Sequence, residues 1–213
     1  MLDFAGAGRH AEQVSELLGR LERTGDQFVA LVAGIEDEQW TTSTPCPEWD
    51  VAGLVRHVVL GNRIFVGVLA GHPVNPQLIL GEYASHGPNL LPGDVEGSFA
   101  DLVEAFGRPE ALERPVAIPV GTVPGAVAVD IRVVENIVHG WDLATATRQE
   151  PPYDRTDAEA ALAFSRRAMG IVPAGRKPFA DPVAVPDGAP ALDRLVALLG
   201  RRPRPPTDSA PTS

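Results

Sequence analysis

Glu135-Asn136-Ile137-Val138-His139-Gly140-Trp141-Asp142 is the decisive stretch of this 213-residue chain. Glu135 and His139 are four residues apart, so on a helix they project from one face, a turn from each other. Asp142, seven residues after Glu135, and Arg132, three before it, fall on that same face. Val127, Val134, Ile137, Val138 and Trp141 around them are apolar, so the helix is expected to be mostly buried. A carboxylate and an imidazole on a buried helix need a partner, because an unpaired buried charge is costly. A metal ion would satisfy both. An ordinary hydrogen-bonded Glu–His pair has the same spacing, and spacing alone favours it.

The helix holding this stretch is predicted over about 126–147. Just before it, Val116, Ile118 and Val120 alternate with smaller residues, but Pro115, Pro119 and Pro124 exclude a central strand. An irregular hairpin or extended crossing is expected, with Gly121 and Gly125 at its turns. Further upstream a helix over about 51–70 is apolar over most of its girth and therefore central. Asp50 has the character of its N-cap, and Trp49 that of a hydrophobic staple. His57 sits inside that apolar surface. The first helix, about 10–35, follows a frayed start of eight residues and carries Val14, Leu17, Leu18, Leu21, Phe28, Leu31 and Val32 at amphipathic spacing. A third helix is predicted over about 95–106.

The long connection between residues 71 and 93 is punctuated by prolines and is expected to wall a pocket, with His72 and His86 exposed. After Pro151-Pro152 come a helix over about 156–169, capped by Thr156 or Asp157, a proline-rich extended stretch over 172–190, and a short helix over about 189–199. Residues 201–213 are rich in Pro, Ser and Thr and are expected to form a disordered tail. The organisation is thus one mainly α domain over residues 1–200 with a tail.

A hydrophobic fraction of 44% is enough for a real core. The net charge of -10 and a pI near 4.9 argue against nucleic acid or an anionic membrane surface as partners. Cys46 is the single cysteine, so no internal disulfide can form, and the N-terminus lacks the pattern of a secretory signal. A cytoplasmic location is expected. No apolar run approaches the ~20 residues that cross a bilayer.

His57 and His139 both fall in apolar mid-helix surroundings, and with Glu135 they make a His2Glu set of the kind that leaves one zinc position open. That reading requires the second helix to face the fourth.

Three ordered motifs carry a family resemblance: Thr44-Pro45-Cys46-Pro47-Glu48-Trp49-Asp50-Val51 with Leu54 and His57; Val123-Pro124-Gly125-Ala126-Val127; and His139-Gly140-Trp141-Asp142-Leu143-Ala144. With the late run Pro190-Ala191-Leu192-Asp193-Arg194-Leu195, they resemble the metal-binding domain of mycothiol-dependent maleylpyruvate isomerase and its relatives, over most of residues 10–200. The resemblance implies a DinB-like four-helix bundle with a small irregular hairpin and extra C-terminal helices. It also implies a divalent metal on His57, Glu135 and His139, and a low-molecular-weight thiol such as mycothiol whose metal-bound thiolate is the nucleophile. Zinc is the first expectation for that ion, with nickel and iron also served by such donors. The isomerase has a further C-terminal domain, whereas this chain has only a short stretch after residue 170, so maleylpyruvate itself is not expected as the substrate.

Asp142 is expected either to orient His139 from behind or to pair with an arginine. Arg132 is a candidate for an anionic substrate, with a salt bridge to Glu135 as the plainer role. Trp49 and Trp141 are expected in the core, and Cys46 as a buried structural thiol. Three functions follow: a thiol-dependent transferase or isomerase acting on a small molecule, a hydrolase activating water on the same ion, and a non-catalytic metal or small-ligand module. Oligomeric state is open, a homodimer included.

Overall fold

The first apolar stripe forms α1, Phe4–Ala33, which buries Leu21, Phe28, Leu31 and Val32. The helix begins earlier than the frayed start expected from the sequence. The structure is a computed structural model and describes residues 4–72, 92–118, 121–169 and 179–203. His86, Val120, most of the proline-punctuated connection and residues 204–213 lie outside the described residues.

A short 3-10 turn, Asp37–Gln39, leads into a loop tied down by Thr44. Its hydroxyl donates to the Trp49 carbonyl at 2.8 Å and accepts from the Cys46 N–H at 3.2 Å. Helix α2, Val51–Leu69, then starts at the predicted cap: Asp50 Oδ1 accepts from the Gly53 N–H at 2.7 Å. At 19 residues with a mean hydropathy of 1.4, α2 is by length and composition apolar enough to cross a membrane, contrary to the expectation that no such run exists. Its apolarity has a different cause: Val51, Leu54, Val55, Val58 and Val59 are 0–2% exposed, because the helix runs through the middle of a bundle.

Helix α3, Pro92–Gly107, adds Val95, Phe99, Leu102 and Phe106 to the core. Strands β1, Pro115–Ile118, and β2, Gly121–Pro124, form an antiparallel pair with Val116 opposite Val123. The hairpin is therefore present, but Gly125 is the first residue of α4, Gly125–Thr147, and not a turn. Helix α5, Arg155–Met169, is capped by Asp154, whose Oδ1 accepts from the Asp157 N–H at 2.8 Å, and not by Thr156 or Asp157. Helix α6, Ala191–Leu198, closes the described fold.

α1, α2, α3 and α4 make the bundle, with α1 beside α3 and α4, and α2 beside the same two on the other side. Thr24 meets Asn136 and Leu31 meets Gln149, so α1 and α4 run parallel. His57 meets Glu135 and Asn62 meets Arg132, so α2 and α4 run antiparallel. α6 packs on α5 and α4 through Leu195, Val196 and Ala197. The described residues form a mainly α fold with a four-helix bundle, one small hairpin and two further helices. Arg201, placed by composition at the head of the tail, is only 7% exposed and belongs to the packed body.

Candidate metal centre

The antiparallel seam between α2 and α4 brings the three candidate ligands to one point. His57 Nε2 lies 3.3 Å from Glu135 Oε2, and His139 Nε2 lies 3.4 Å from the same oxygen. One ligand atom from each of the three falls within 4.8 Å of the other two. The His139 side chain is 3% exposed, whereas His57 and Glu135 keep 31% and 19%, so the cluster is closed on the His139 side and open to solvent on the other.

These atoms fit a metal ion. Bonds of about 2.0–2.1 Å to a tetrahedral ion place neighbouring donors about 3.3–3.4 Å apart, the spacing found here along both edges to Glu135. Three groups that all carry lone pairs cannot approach so closely without a proton or a cation among them. Burial alone would raise the Glu135 carboxyl, but hydrogen bonds from His139 and His57 and the charge of Arg132 hold it well below the usual carboxylate range. Burial lowers the His57 imidazole against the opposing pull of Glu135. An ionised carboxylate and a neutral imidazole are the forms that ligate metals. For His139, burial is outweighed by Asp142 and Glu135, and its pKa is raised.

Asp142 makes both of the contacts weighed for it. Its Oδ2 lies 3.2 Å from His139 Nδ1, which leaves Nε2 facing the centre. The same carboxylate, 0% exposed, receives Arg201 Nη2 at 2.7 Å. Burial would raise the Asp142 carboxyl, and the contacts with His139 and Arg201 reverse that, bringing it down.

Arg132 is not placed to meet a substrate. It is 2% exposed, donates from Nη2 to Asn62 Oδ1 at 2.7 Å and to the Val58 carbonyl at 3.3 Å, and lies over the Phe65 ring. Asn62 in turn donates to Ser98 Oγ at 3.1 Å. The salt bridge to Glu135 exists as a loose contact of 3.9 Å from Nη1. Gly61 makes this crossing possible, since a Cβ there would collide with the Arg132 guanidinium. Arg132 thus backs Glu135 with positive charge from inside the bundle.

Trp141 is in the core at 7% exposure, but Trp49 departs from expectation. It is half-buried and stacks on His57, ring centroids 4.1 Å apart at 21°, with its edge contact to His139 at 5.7 Å. The cap at Asp50 turns the chain so that Trp49 covers one flank of the two candidate histidines. Cys46 is buried, and burial pushes its thiol up, as fits a structural thiol rather than a nucleophile. His72 is exposed. Asn62 and Arg201 were not among the residues singled out from the sequence. A polar Asn on an apolar helix was a signal for the first, whereas nothing local marked the second.

Comparison with known proteins gives the chain a family. The family model described as the mycothiol maleylpyruvate isomerase N-terminal domain matches residues 21–144, more than half of the chain and all three candidate ligands. Uncharacterized proteins from two strains of Mycobacterium tuberculosis are each 35% identical over 184 residues, covering 86% of this chain and 96% of theirs. Among solved structures, the mycothiol-dependent maleylpyruvate isomerase is similar with a TM-score of 0.59 at 20% identity, over 71% of this chain and 67% of that one. A histidine-to-alanine mutant of that enzyme gives a TM-score of 0.57 with the same identity and coverage. At that identity the structures speak for the shared fold, and the family match speaks for kinship: the chain belongs to the mycothiol maleylpyruvate isomerase N-terminal domain family.

Proposed function

We propose that this protein is a divalent-metal-dependent transferase or isomerase that acts on a small molecule with a low-molecular-weight thiol, mycothiol, as co-substrate. His57, Glu135 and His139 would hold the metal, zinc in the first instance. The observation that carries the reading is the convergence of two imidazole nitrogens on one carboxylate oxygen at 3.3 and 3.4 Å, on the open side of the bundle. When bound there, the ion supplies an open coordination position that lowers the pKa of an incoming thiol and keeps it nucleophilic at neutral pH.

The protein's own side chains do the rest. Asp142 holds His139 by Nδ1 so that the imidazole does not swing when a ligand arrives. The hydrogen bonds from His139 and His57 keep Glu135 ionised, and Arg132 adds positive charge behind it. Trp49 shields one face of His57 and leaves the approach to the side where His57 and Glu135 are exposed. The acidic surface, net charge -10, suits a small neutral or carrier-borne electrophile better than a polyanion. A cytoplasmic location belongs to the same proposal, since a free thiol co-substrate needs a reducing compartment.

Elemental analysis of the purified protein beside His57→Ala and His139→Ala tests the metal site. One equivalent of metal in the wild type and little in either variant is expected; equal metal in all three would remove the site. Calorimetric titration of the zinc-loaded protein with mycothiol tests the co-substrate, with 1:1 binding expected that vanishes in His57→Ala. Turnover of a small ester or amide with no thiol present would replace the transferase reading with the hydrolytic one.

A further inference from the structure

The metal cluster is reached by a second path, from the C-terminal segment, which the family match ending at residue 144 does not include. Helix α6 ends in a left-handed glycine: Gly200 has φ +86, its N–H donates to the Ala197 carbonyl at 3.1 Å, and the Arg201 N–H donates to the Val196 carbonyl at 2.9 Å. This is a Schellman termination, which reverses the chain at a residue without Cβ. A side chain at Gly200 would also press into Ala180. The reversal sends Arg201 inward.

There the guanidinium grips Asp142 with a fork: Nη2 to Oδ2 at 2.7 Å, and Nε to Oδ1 and Oδ2 at 3.2 and 3.3 Å. Nη1 donates to the Leu199 carbonyl at 3.0 Å, and the cation lies over the Phe179 ring at 5.5 Å. Every polar group of the chain Arg201–Asp142–His139 is at least nine-tenths buried. A planar fork on a carboxylate fixes the plane of that carboxylate. Because Asp142 Oδ2 also meets His139 Nδ1, the plane of the carboxylate fixes the tilt of the imidazole.

We propose that Arg201 is a positioning residue for the metal centre. Docking of α6 sets the orientation of His139, and therefore metal affinity, through Asp142. The inference rests on the reading of His57, Glu135 and His139 as ligands. By linkage, the coupling runs both ways: metal on His139 tightens the docking of α6.

The test measures zinc affinity by competition with a chromophoric chelator for the full-length wild type, Arg201→Met, Arg201→Lys, His57→Ala and Arg23→Met. Arg23→Met breaks an ion pair with a buried carboxylate that lies away from the centre and serves as the control. Arg201→Met should weaken zinc binding about 10- to 100-fold, the range found when groups supporting a ligand are removed. Arg201→Lys should recover part of the loss, and Arg23→Met should bind as the wild type does. Hydrogen exchange gives the second readout: zinc should slow exchange of the α6 amides in the wild type more than it slows those of α1, a difference that a merely structural arginine would not produce. Wild-type affinity in Arg201→Met, with His57→Ala inactive in binding, would overturn the inference and leave the metal site standing. Wild-type affinity in His57→Ala would instead remove the site itself. Should Arg201→Met fail to fold, the exchange measurement on the wild type decides alone, and α6 protection no greater than that of α1 overturns the proposal.

Discussion

Two seams of this bundle each bury a carboxylate, and they treat it in opposite ways. Between α1 and α5, Asp157 is 0% exposed and is met by Arg20 Nε at 3.2 Å and Arg23 Nη2 at 2.8 Å on Oδ1, with Arg23 Nε at 3.3 Å on Oδ2. Its partners are permanent cations, so the charge is balanced within the chain. Between α2 and α4, Glu135 has two histidine nitrogens close to Oε2 and its arginine no nearer than 3.9 Å. Both histidines have their own lone pairs to place. The first seam is complete as an ion pair, whereas the second sets three lone-pair donors against one another, an arrangement that the proposed metal would satisfy. Burial of a carboxylate is therefore a poor guide to function, and the protonation chemistry of its neighbours is a good one.

The largest effect should come from the arginines left behind. Asp142→Ala abandons Arg201, whose side chain is 7% exposed, and an orphaned buried charge costs about 3–5 kcal/mol. Asp157→Ala abandons Arg23, whose side chain is 51% exposed and can turn to water, and Arg20, which keeps its contact with Glu16 at 2.8 Å, so about 1–3 kcal/mol is expected. Urea unfolding of the metal-free proteins measures both, and equal losses would erase the contrast. Zinc sharpens it further. At a free concentration one hundred times Kd, zinc should stabilise the wild type by about 2.7 kcal/mol, as it should Asp157→Ala, while Glu135→Ala should gain almost nothing. A gain in Glu135→Ala would mean that the ion binds elsewhere.

The two seams were also unequally legible in the sequence. The two sides of the α2–α4 seam could each be read because their signals are periodic and local: the cap Asp50, the apolar run of α2 around His57, and the i, i+4 pair Glu135 and His139. That the two helices face one another was implied only by the family resemblance. What periodicity could not supply was distance across the fold. Arg201 lies 59 residues from Asp142, in a segment whose composition reads as tail, and only the Gly200 turn sends it inward. Trp49 read as a staple because its place before the cap is a local fact, while its stacking on His57 depends on how the loop folds back over α2. Arg132 read as a candidate for an anionic substrate or as a partner of Glu135 three residues on, yet Asn62 on the facing helix is the nearer neighbour. In each case the partner of a long side chain is set by the tertiary fold and not by its sequence neighbours.

The smallest effect lies on the closed side and tests how dry it is. Tyr153 donates its hydroxyl to the Asn136 carbonyl at 2.8 Å, on the α1 side of α4, where Asn136 also reaches Thr24. Burial pushes the Tyr153 hydroxyl far above its ordinary value of 10.0. Because the folded pKa is raised, the stability it confers is complete below the unfolded value and is lost as pH climbs beyond it. Tyr153→Phe should cost about 1 kcal/mol at neutral pH, the worth of one buried hydrogen bond. Above about pH 10 the wild type, and not the variant, loses about 1.4 kcal/mol per pH unit from this group, because only the unfolded tyrosine ionises. The deficit of the variant should therefore close by about pH 11, as read from urea midpoints across the alkaline range. A deficit that persists there would mean that Tyr153 ionises within the fold, and that the side of α4 facing α1 admits water as the side facing α2 does.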